Sequence, residues 1–428
     1  MKKIDPLALE DKLHRLASEY IRGQTHPQAN PRDFIQDRER LAEIVSRFLE
    51  AEGEILPQQK FQEIVQAVIN RIVGLGSIEP FLTDPTITEI MVNAPGKIFI
   101  ERNGRLEEVQ AAFRDKEHIL NVIDRIVAPL GRRVDQSNPF VDARLPDGSR
   151  VNAIIPPLAL GSPSLTIRRF SAEPFTLNRL VSLETLSAEM AGFLQACVRA
   201  RLNILISGGT GSGKTSTLNA LARCIPSKER LVTIEDTAEL QLNATNLVSL
   251  ESRPPNIEGS GEVNIRTLVR NALRMRPDRI IVGEVRGPEA FDMLQAMNTG
   301  HPGSLTTVHA NSPTDAVRRL ESMVLMAGLE LPQPAIREAI ANSLDIIIQQ
   351  ERLSSGGRKI VAIAEVETDK QSCWDEIPIR TNEIFLFKLE GLDKSGRERG
   401  RFTASDCQPA CLDMIRKSGF SIHDPLEE

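Results

Sequence analysis

The stretch ISGGTGSGKTSTL, residues 206 to 218, has the spacing of glycines, lysine and hydroxyl groups that binds nucleotide phosphates. Residues 208 to 215 fit the pattern G-x4-G-K-[ST], with a strand-like segment before it and a helical pattern after it. The glycines let the backbone curl until its N–H groups point at phosphate oxygens. Lys214 then reaches the β- and γ-phosphates, and the Thr215 hydroxyl ligates Mg²⁺. The residues expected to hold the nucleotide are Gly208, Gly209, Thr210, Gly211, Ser212, Gly213, Lys214, Thr215 and Ser216.

Carboxylates stand at the ends of two apolar segments that follow the loop. LVTIED ends in Glu235 and Asp236, RIIVGE ends in Glu284, and Glu239 follows in what reads as the first turn of a helix. Ligands of a parallel sheet lie at the carboxyl ends of its strands, so we expect both groups of acids to face the nucleotide. Hydrolysis needs a carboxylate to orient or deprotonate water, and acids around Mg²⁺. Because Glu284 stands where an aspartate is common, we expect Thr215 and phosphate oxygens to hold Mg²⁺ and Glu284 to act on the water.

Two further observations concern the nucleotide. His309 directly follows the apolar segment LTTV, where its ring would donate to a γ-phosphate and lose that contact on hydrolysis. The chain contains no guanine-reading N-K-x-D element, so the expected ligands are ATP and Mg²⁺. A purely structural role stays open for His309 and Glu239. A histidine can cap a strand end, and the helix dipole favours an acid in a first helical turn.

From Leu180 onward the sequence alternates strands and helices. The strands are LNILISGG, RLVTIED, RIIVGE and SLTTVHA. The helix TDAVRRLESMVLMAG is marked by Ser312 at the cap, Pro313 at the first helical position and Asp315 at N3. This alternation predicts an α/β fold, a parallel sheet with helices on its faces. DIIIQQERLSSGGRKIVAIAEV adds an antiparallel hairpin, and the tail past Val366 reads as less regular.

The residues before this domain read as a smaller α+β domain behind a helical segment. KFQEIVQAVINRIV has apolar residues at helical spacing. TEIMVNA, KIFIERNGRLEEV, VDARLPDGSRVNAII and SLTIRRF read as strands and hairpins, with the helix EHILNVIDRIVAPLG between the hairpins. SAEPFT, residues 171 to 176, reads as a linker. The predicted domains are therefore 1–74 (helical segment), 75–172 (α+β) and 173–428 (nucleotide-binding).

Composition restricts the class of protein. A chain of 428 residues with 41% hydrophobic and 26% charged residues is typical of a globular protein of two or three domains. The net charge of −6, with one Trp and one Tyr, gives no strong nucleic-acid signal. Because no transmembrane segment or secretory signal is visible, we expect a cytoplasmic protein. Five scattered cysteines fit a reducing compartment, and Cys407 and Cys411 lack the further ligands of a zinc site.

Five stretches stand in order along the chain: RLPDGSRVNAIIPPLALGSPSLTIRRF, GGTGSGKTS, TIEDTAEL, MRPDRIIVGEVRGPEA and MNTGHPGSLTTVHANSP. Together they resemble the type II/type IV secretion ATPase superfamily, and within it the CpaF-type ATPases of tight-adherence pilus assembly. The resemblance runs from about Leu75 to Val366. It implies a RecA-like ATPase domain behind a PAS-like α+β domain. It also implies a homohexamer that works on a polytopic inner-membrane platform protein and lies peripherally at that membrane.

The resemblance assigns roles to particular residues. The family's Asp box matches residues 233 to 240, which implies that Glu239 is a second catalytic acid. The His box matches His301 and His309. The arginines of the family's N-terminal domain match Arg150 and Arg168, with Arg169 as the alternative to Arg168. They imply a guanidinium clamp on the γ-phosphate, against the alternative of solvated surface arginines.

Three functions stay in competition. The first is a ring ATPase for pilus assembly or secretion, with a conjugation or type II secretion ATPase as the neighbouring branch. The general type II ATPases carry a four-cysteine zinc insertion that this chain lacks, which favours the CpaF-type branch. The second function is a RecA-like DNA motor, which the acidic net charge disfavours. The third is a scaffold that binds but does not hydrolyse nucleotide, which Glu284 and Glu239 disfavour.

Overall fold

The computed structural model describes residues 6–24, 38–53, 56–102, 104–130, 132–145, 147–169, 175–253, 255, 260–368, 379–393, 398–406 and 408–426. The chain divides into two compact units, Met1–Ala172 and Glu173–Glu428. Most of the predicted linker at 171–176 lies outside the described residues, as does Cys407. Within the described ranges, no helix is both long enough and apolar enough to cross a membrane.

The first unit begins with helices that share one core. They are α1 (Pro6–Gln24), α2 (Arg38–Ala51) and α3 (Gln58–Ile72). Leu13, Leu41, Val45 and Val68 are fully buried where these helices meet. Apolar residues at three- and four-residue spacing give each helix one stripe to bury, and the stripes cover one another.

A six-stranded antiparallel sheet follows in the same unit. The short helix α4 (Glu79–Thr83) precedes the sheet. The strands are β1 (Ile87–Ala94), β2 (Lys97–Arg102), β3 (Arg105–Val109), β4 (Phe140–Arg144), β5 (Arg150–Ile154) and β6 (Ser164–Arg168). The helix α5 (Lys116–Val127) lies between β3 and β4 in the chain. The strand order is β3-β2-β1-β6-β5-β4. Asp115 caps α5 by accepting the His118 N–H at 2.8 Å, and the buried side of α5 joins a core with Ile90 and Ile167. Helix and sheet together form an α+β unit.

The second unit is built on a nine-stranded sheet of order β15-β14-β13-β12-β7-β11-β10-β8-β9. Its strands β7 to β15 are Ile204–Gly208, Arg230–Glu235, Asn246–Glu251, Arg279–Val282, Leu305–Val308, Ile346–Arg352, Arg358–Thr368, Ile379–Leu392 and Glu398–Ala404. The pairs along β12-β7-β11-β10-β8-β9 are all parallel. Their carboxyl ends therefore share one edge of the sheet.

Helices cover both faces of this sheet. They are α6 to α13, at Leu177–Ser182, Ala188–Arg199, Lys214–Ala222, Ile265–Ala272, Glu289–Asn298, Pro313–Met326, Gln333–Ser343 and Cys411–Lys417. Ile204 and Ile206 belong to one buried core and Leu205 to the other, as the period-two alternation of a strand requires. The predicted cap of α11 is present, since the Ser312 Oγ accepts the Asp315 N–H at 3.0 Å. The predicted fold class, a RecA-like α/β domain behind a smaller α+β domain and a helical segment, is confirmed.

The C-terminal part is more regular than the sequence predicts. Instead of an irregular tail past Val366, β13 continues to Thr368 and pairs antiparallel with β14, which pairs antiparallel with β15. α13 follows, with Cys411 and Ile415 buried in the sheet's core. The prediction is wrong because these charged, Gly-containing strands carry little alternation of their own and are stabilised by pairing with the sheet.

A buried ion pair fixes the amino end of β10. The Arg279 side chain is 0% exposed, and its Nε and Nη2 donate to the Glu229 carboxylate at 2.8 and 2.9 Å. Its Nη1 donates to the Val198 carbonyl. This bidentate geometry compensates the desolvation of both charges. Removal of either residue would leave the other charge buried and uncompensated.

We expect Glu229→Ala to lower the free energy of unfolding by about 3–5 kcal/mol, because it leaves the Arg279 guanidinium buried without its carboxylate. Glu390→Ala is the matched control, since Glu390 pairs with Arg401 at 3.2 Å where their side chains are 46% and 70% exposed. That exposed pair should be worth about 0–1 kcal/mol. Urea unfolding followed by circular dichroism measures both, and equal losses would contradict the assignment.

Candidate nucleotide-binding site

The glycine-rich loop joins β7 to α8 at the carboxyl edge of the parallel sheet. β7 ends at Gly208 and α8 begins at Lys214. Gly211 and Gly213 have φ of +71° and +99°, backbone conformations that side chains with a Cβ rarely adopt. A Cβ on Gly208 would lie 2.2 Å from the Gln350 carbonyl oxygen. The loop therefore needs glycine at these positions before any ligand is considered.

Lys214 is held inside the loop. Its side chain is buried, and Nζ donates to the carbonyls of Gly208 and Gly209 at 2.9 and 3.0 Å. Ser212 Oγ donates to the Gly209 carbonyl at 2.9 Å. The ammonium is therefore held by polar atoms of the loop at the position where a phosphate anion would bind.

Lys214, His309 and Glu284 form a chain of contacts beside the loop. Lys214 Nζ lies 3.4 Å from His309 Nδ1 and 3.5 Å from Nε2. His309 Nε2 lies 2.8 Å from Glu284 Oε1. Arg286 donates to Glu284 Oε2 at 2.6 Å and lies 3.4 Å from Asp236 Oδ2. Four of the predicted site residues thus meet at the edge where β7, β8, β10 and β11 end.

The neighbours of Glu284 keep it ionised. Burial raises its pKa, but the Arg286 hydrogen bond and charge, with His309 and Lys214, outweigh burial and lower it overall. Burial, followed by the charge of Lys214, lowers the pKa of His309. The carboxylate is therefore anionic and the imidazole neutral near pH 7. Glu284 Oε1 is buried and lies 2.8 Å from His309 Nε2, so the imidazole and Arg286 hold the two oxygens of this carboxylate in place.

Glu235 and Glu239 have different roles from each other. Glu235 is buried, and burial raises its pKa to about 7 against the opposing effect of the Glu239 and Leu240 N–H groups. Its Oε1 accepts those N–H groups at 2.9 and 3.2 Å. The helical turn predicted at Glu239 is wrong, because the segment after β8 is irregular and is held by the Glu235 carboxylate instead. The half-buried Glu239 follows β8 at the loop's edge of the sheet.

His301 does not join this group. It lies four residues before β11 begins, at the amino end of the strand whose carboxyl end carries His309. Its Nδ1 is buried without a hydrogen-bond partner among the described residues. The two histidines of the predicted His box are therefore at opposite ends of one strand.

The predicted arginines lie in the first unit. Arg150 and Arg168 are directly opposite each other on β5 and β6, on one face of the sheet. Arg144, which sequence reasoning did not single out, is opposite Arg150 on β4. Arg169 turns toward its own unit, where Nη1 donates to the carbonyls of Asp84 and Ile87.

Sequence reasoning also missed side chains from β12 and β13 that contact the loop. Arg358 Nε donates to the Gly211 carbonyl at 3.0 Å, and Gln350 accepts the Thr217 hydroxyl at 2.8 Å. No local signal could have found them, because they follow the loop by more than a hundred residues. Arg286, two residues after Glu284, could have been found as the nearest cation to the predicted acid.

Comparison with known proteins decides the family. Residues 72–378 match the family described as type II/IV secretion system protein. The chain belongs to this family. The secretion ATPase superfamily inferred from the sequence is thereby confirmed, and the CpaF-type branch stays a prediction.

Individual relatives of this secretion-system protein are similar over the same region. The conjugal transfer protein TrbB of Rhizobium radiobacter is 39% identical over 290 residues, covering 67% of this chain and 85% of that protein. The type IV secretion system protein PtlH of Bordetella pertussis is 37% identical over 323 residues, covering 68% and 93%. Among solved structures, the VirB11 ATPase of the Brucella suis type IV secretion system, in complex with sulphate, is 32% identical, covers 68% and 95%, and has a TM-score of 0.37.

We expect Gly208→Ala to destabilise the nucleotide-free secretion-system protein by roughly 1–3 kcal/mol, because the added methyl group collides with Gln350 and Ser212. Gly209→Ala is the matched control in the same loop, since nothing lies within 4 Å of its added Cβ. Its effect should stay within about 0.5 kcal/mol. Thermal unfolding without nucleotide separates the two, and an unchanged Gly208→Ala midpoint would contradict the packing described.

Proposed function

We propose that this secretion-system protein is a Mg²⁺-dependent ATPase that powers pilus assembly or protein secretion as a CpaF-type homohexamer. The observation that carries the ATPase activity is the chain of contacts from Lys214 through His309 to Glu284 beside the loop. It unites a buried cation for phosphate with an ionised carboxylate for water. Its place in the cell would be peripheral, at the inner membrane, through a polytopic platform protein.

The residues present fit ATP and Mg²⁺. Lys214 would exchange its contacts to the Gly208 and Gly209 carbonyls for β- and γ-phosphate oxygens. The backbone N–H groups of the loop, together with Thr210 and Ser216, would donate to the remaining phosphate oxygens. Thr215 would hold Mg²⁺, which when bound neutralises phosphate charge.

Hydrolysis would use Glu284 as the group that orients and deprotonates water. Arg286 holds Oε2, and Oε1, which lies 2.8 Å from His309 Nε2, would act on the water. Neutral His309 bridges from this carboxylate toward Lys214, so it can report whether the γ-phosphate is present. Glu239 would add a second acid at the edge, with Glu235 shaping the backbone that carries it and Asp236 holding Arg286.

The mechanical part of the proposal rests on Arg150 and Arg168. Lys214 is the cation that the loop itself supplies, and charge accumulates on the leaving oxygen as the bond breaks. An arginine from the first unit that must approach the nucleotide would couple hydrolysis to rigid-body motion. Such motion is what a motor needs to push a membrane partner.

A conjugation or type IV secretion ATPase is the second candidate. It is favoured by the identity of 39% and 37% to a conjugal transfer protein and a type IV secretion protein. The two candidates share the same chemistry and differ in the partner. Co-purification of the chain with the membrane proteins encoded beside it would decide between them.

We expect Lys214→Ala to abolish ATP binding, because the phosphate charge is left uncompensated. We expect Glu284→Gln to bind ATP but to lose roughly 100-fold or more in turnover. Glu338→Gln, an exposed glutamate on α12, is the control and should match the wild type. Phosphate release and fluorescent-nucleotide binding measure the two steps. Wild-type turnover in Glu284→Gln would refute its assigned role.

For the arginines, we expect Arg150→Ala and Arg168→Ala to bind ATP with modest loss, yet to lose roughly 10³-fold in turnover. Arg105→Ala, an exposed arginine on β3 of the same sheet, is the control. Light scattering with a non-hydrolysable ATP analogue should show a hexamer for all of them. Normal turnover in the double variant with assembly intact would make these arginines surface residues, and a strict monomer would contradict the ring.

A further inference from the structure

The hairpin of β12 and β13 packs against the glycine-rich loop. A Cβ on Gly213 would meet Gln350 Nε2 at 3.0 Å and Arg358 Cδ at 3.1 Å, and a Cβ on Gly211 would meet Arg352 Nη1 at 3.4 Å. Three side chains of the hairpin therefore occupy the space above two loop glycines. These glycines leave room for the hairpin as well as allowing the backbone to curl.

Arg358 contacts the loop's backbone directly. Its Nε donates to the Gly211 carbonyl at 3.0 Å. A peptide unit is planar, so a carbonyl that is fixed on one side directs the N–H group of the next residue to the other side. In a phosphate-binding loop those N–H groups are the ligands. Here that group is the Ser212 N–H, which turns into the loop and donates to the Gly209 carbonyl at 3.4 Å, as Lys214 does, so the Arg358 hydrogen bond fixes this N–H on the inner side of the loop.

We propose that Arg358 is a positioning residue for nucleotide binding: it holds the Gly211 peptide in the orientation that presents the loop's N–H groups to phosphate. This inference rests on the proposed nucleotide site and adds to it a residue from the hairpin after the parallel core. Gln350 supports the same geometry, because its side-chain oxygen accepts the Thr217 hydroxyl of α8 while its backbone packs on Gly208.

The C-terminal strands anchor this hairpin. Ser354 Oγ and Ser355 N, in the turn between β12 and β13, donate to Glu398 Oε1 on β15 at 2.5 and 3.1 Å. Next to Arg358, the Lys359 ammonium lies 5.8 Å from the ring centroid of Phe387 and 5.9 Å from that of Phe402. Residues 379–404 lie beyond the stretch that matches the family. This part of the chain therefore reaches the nucleotide loop through Arg358.

The test is the dissociation constant of a fluorescent ADP analogue with Mg²⁺, measured on the full chain. We expect Arg358→Gln to raise Kd by roughly 10- to 100-fold, the range for a lost hydrogen bond from a charged donor. Arg358→Lys keeps the charge but cannot place the same donor, so it should recover only part of the affinity. At saturating ATP, kcat should stay within roughly twofold of the wild type, because the residues that act on water are untouched.

Glu398→Gln tests the anchoring of the hairpin and should raise Kd by roughly two- to fivefold. Glu390→Gln is its control and should leave Kd unchanged, because Glu390 is an exposed residue of β14 that pairs with Arg401 at 3.2 Å. Unfolding midpoints without nucleotide show that each variant is folded.

The outcomes are distinct. Unchanged affinity in Arg358→Gln, or full recovery by Arg358→Lys, would overturn the positioning role. Unchanged affinity in Glu398→Gln would overturn the anchoring. A wild-type chain that binds no ADP analogue would overturn the nucleotide site itself.

Discussion

The contacts from Lys214 to His309 to Glu284 at the carboxyl edge of the parallel sheet are the interaction on which the rest of the site depends. The three residues follow β7, β11 and β10, which are neighbours in the sheet. Their meeting requires the register in which Thr306 lies opposite both Leu205 and Val282. A slip by one residue would send each side chain of the strand to the other face of the sheet. The chemistry of the site therefore depends on the register of strand pairing.

Charge balance explains the surroundings of that chain of contacts. Each buried charge there has a partner or a polar contact, with Arg286 on Glu284 and backbone carbonyls on Lys214. The Gly208 and Gly209 carbonyls are neutral, and neutral oxygens compensate an ammonium less well than an anion does. Phosphate oxygens would replace these carbonyls as acceptors from Lys214, and this is the physical basis for placing the nucleotide phosphates there.

The first unit presents a different arrangement of charge. Arg144, Arg150 and Arg168 are neighbours across three strands. Like charges directly opposite each other destabilise a strand pair unless polar neighbours compensate them, as the Gly148 carbonyl does by accepting from Arg144 Nε at 3.1 Å. The row of arginines therefore places Arg144 beside Arg150 and Arg168, the two arginines proposed for the γ-phosphate.

The sequence by itself determined the features that depend on local spacing. The strand–loop–helix around Lys214, the cap at Ser312 and the acids at strand ends could be read because turn chemistry and hydrophobic periodicity act over a few residues. Only the tertiary structure decided which distant groups meet. Arg358 reaches Gly211 across a sheet, Glu235 replaces a helical turn near Glu239, and strands β14 and β15 form by pairing. Long-range pairing and burial set these contacts, and neither leaves a local pattern in the chain.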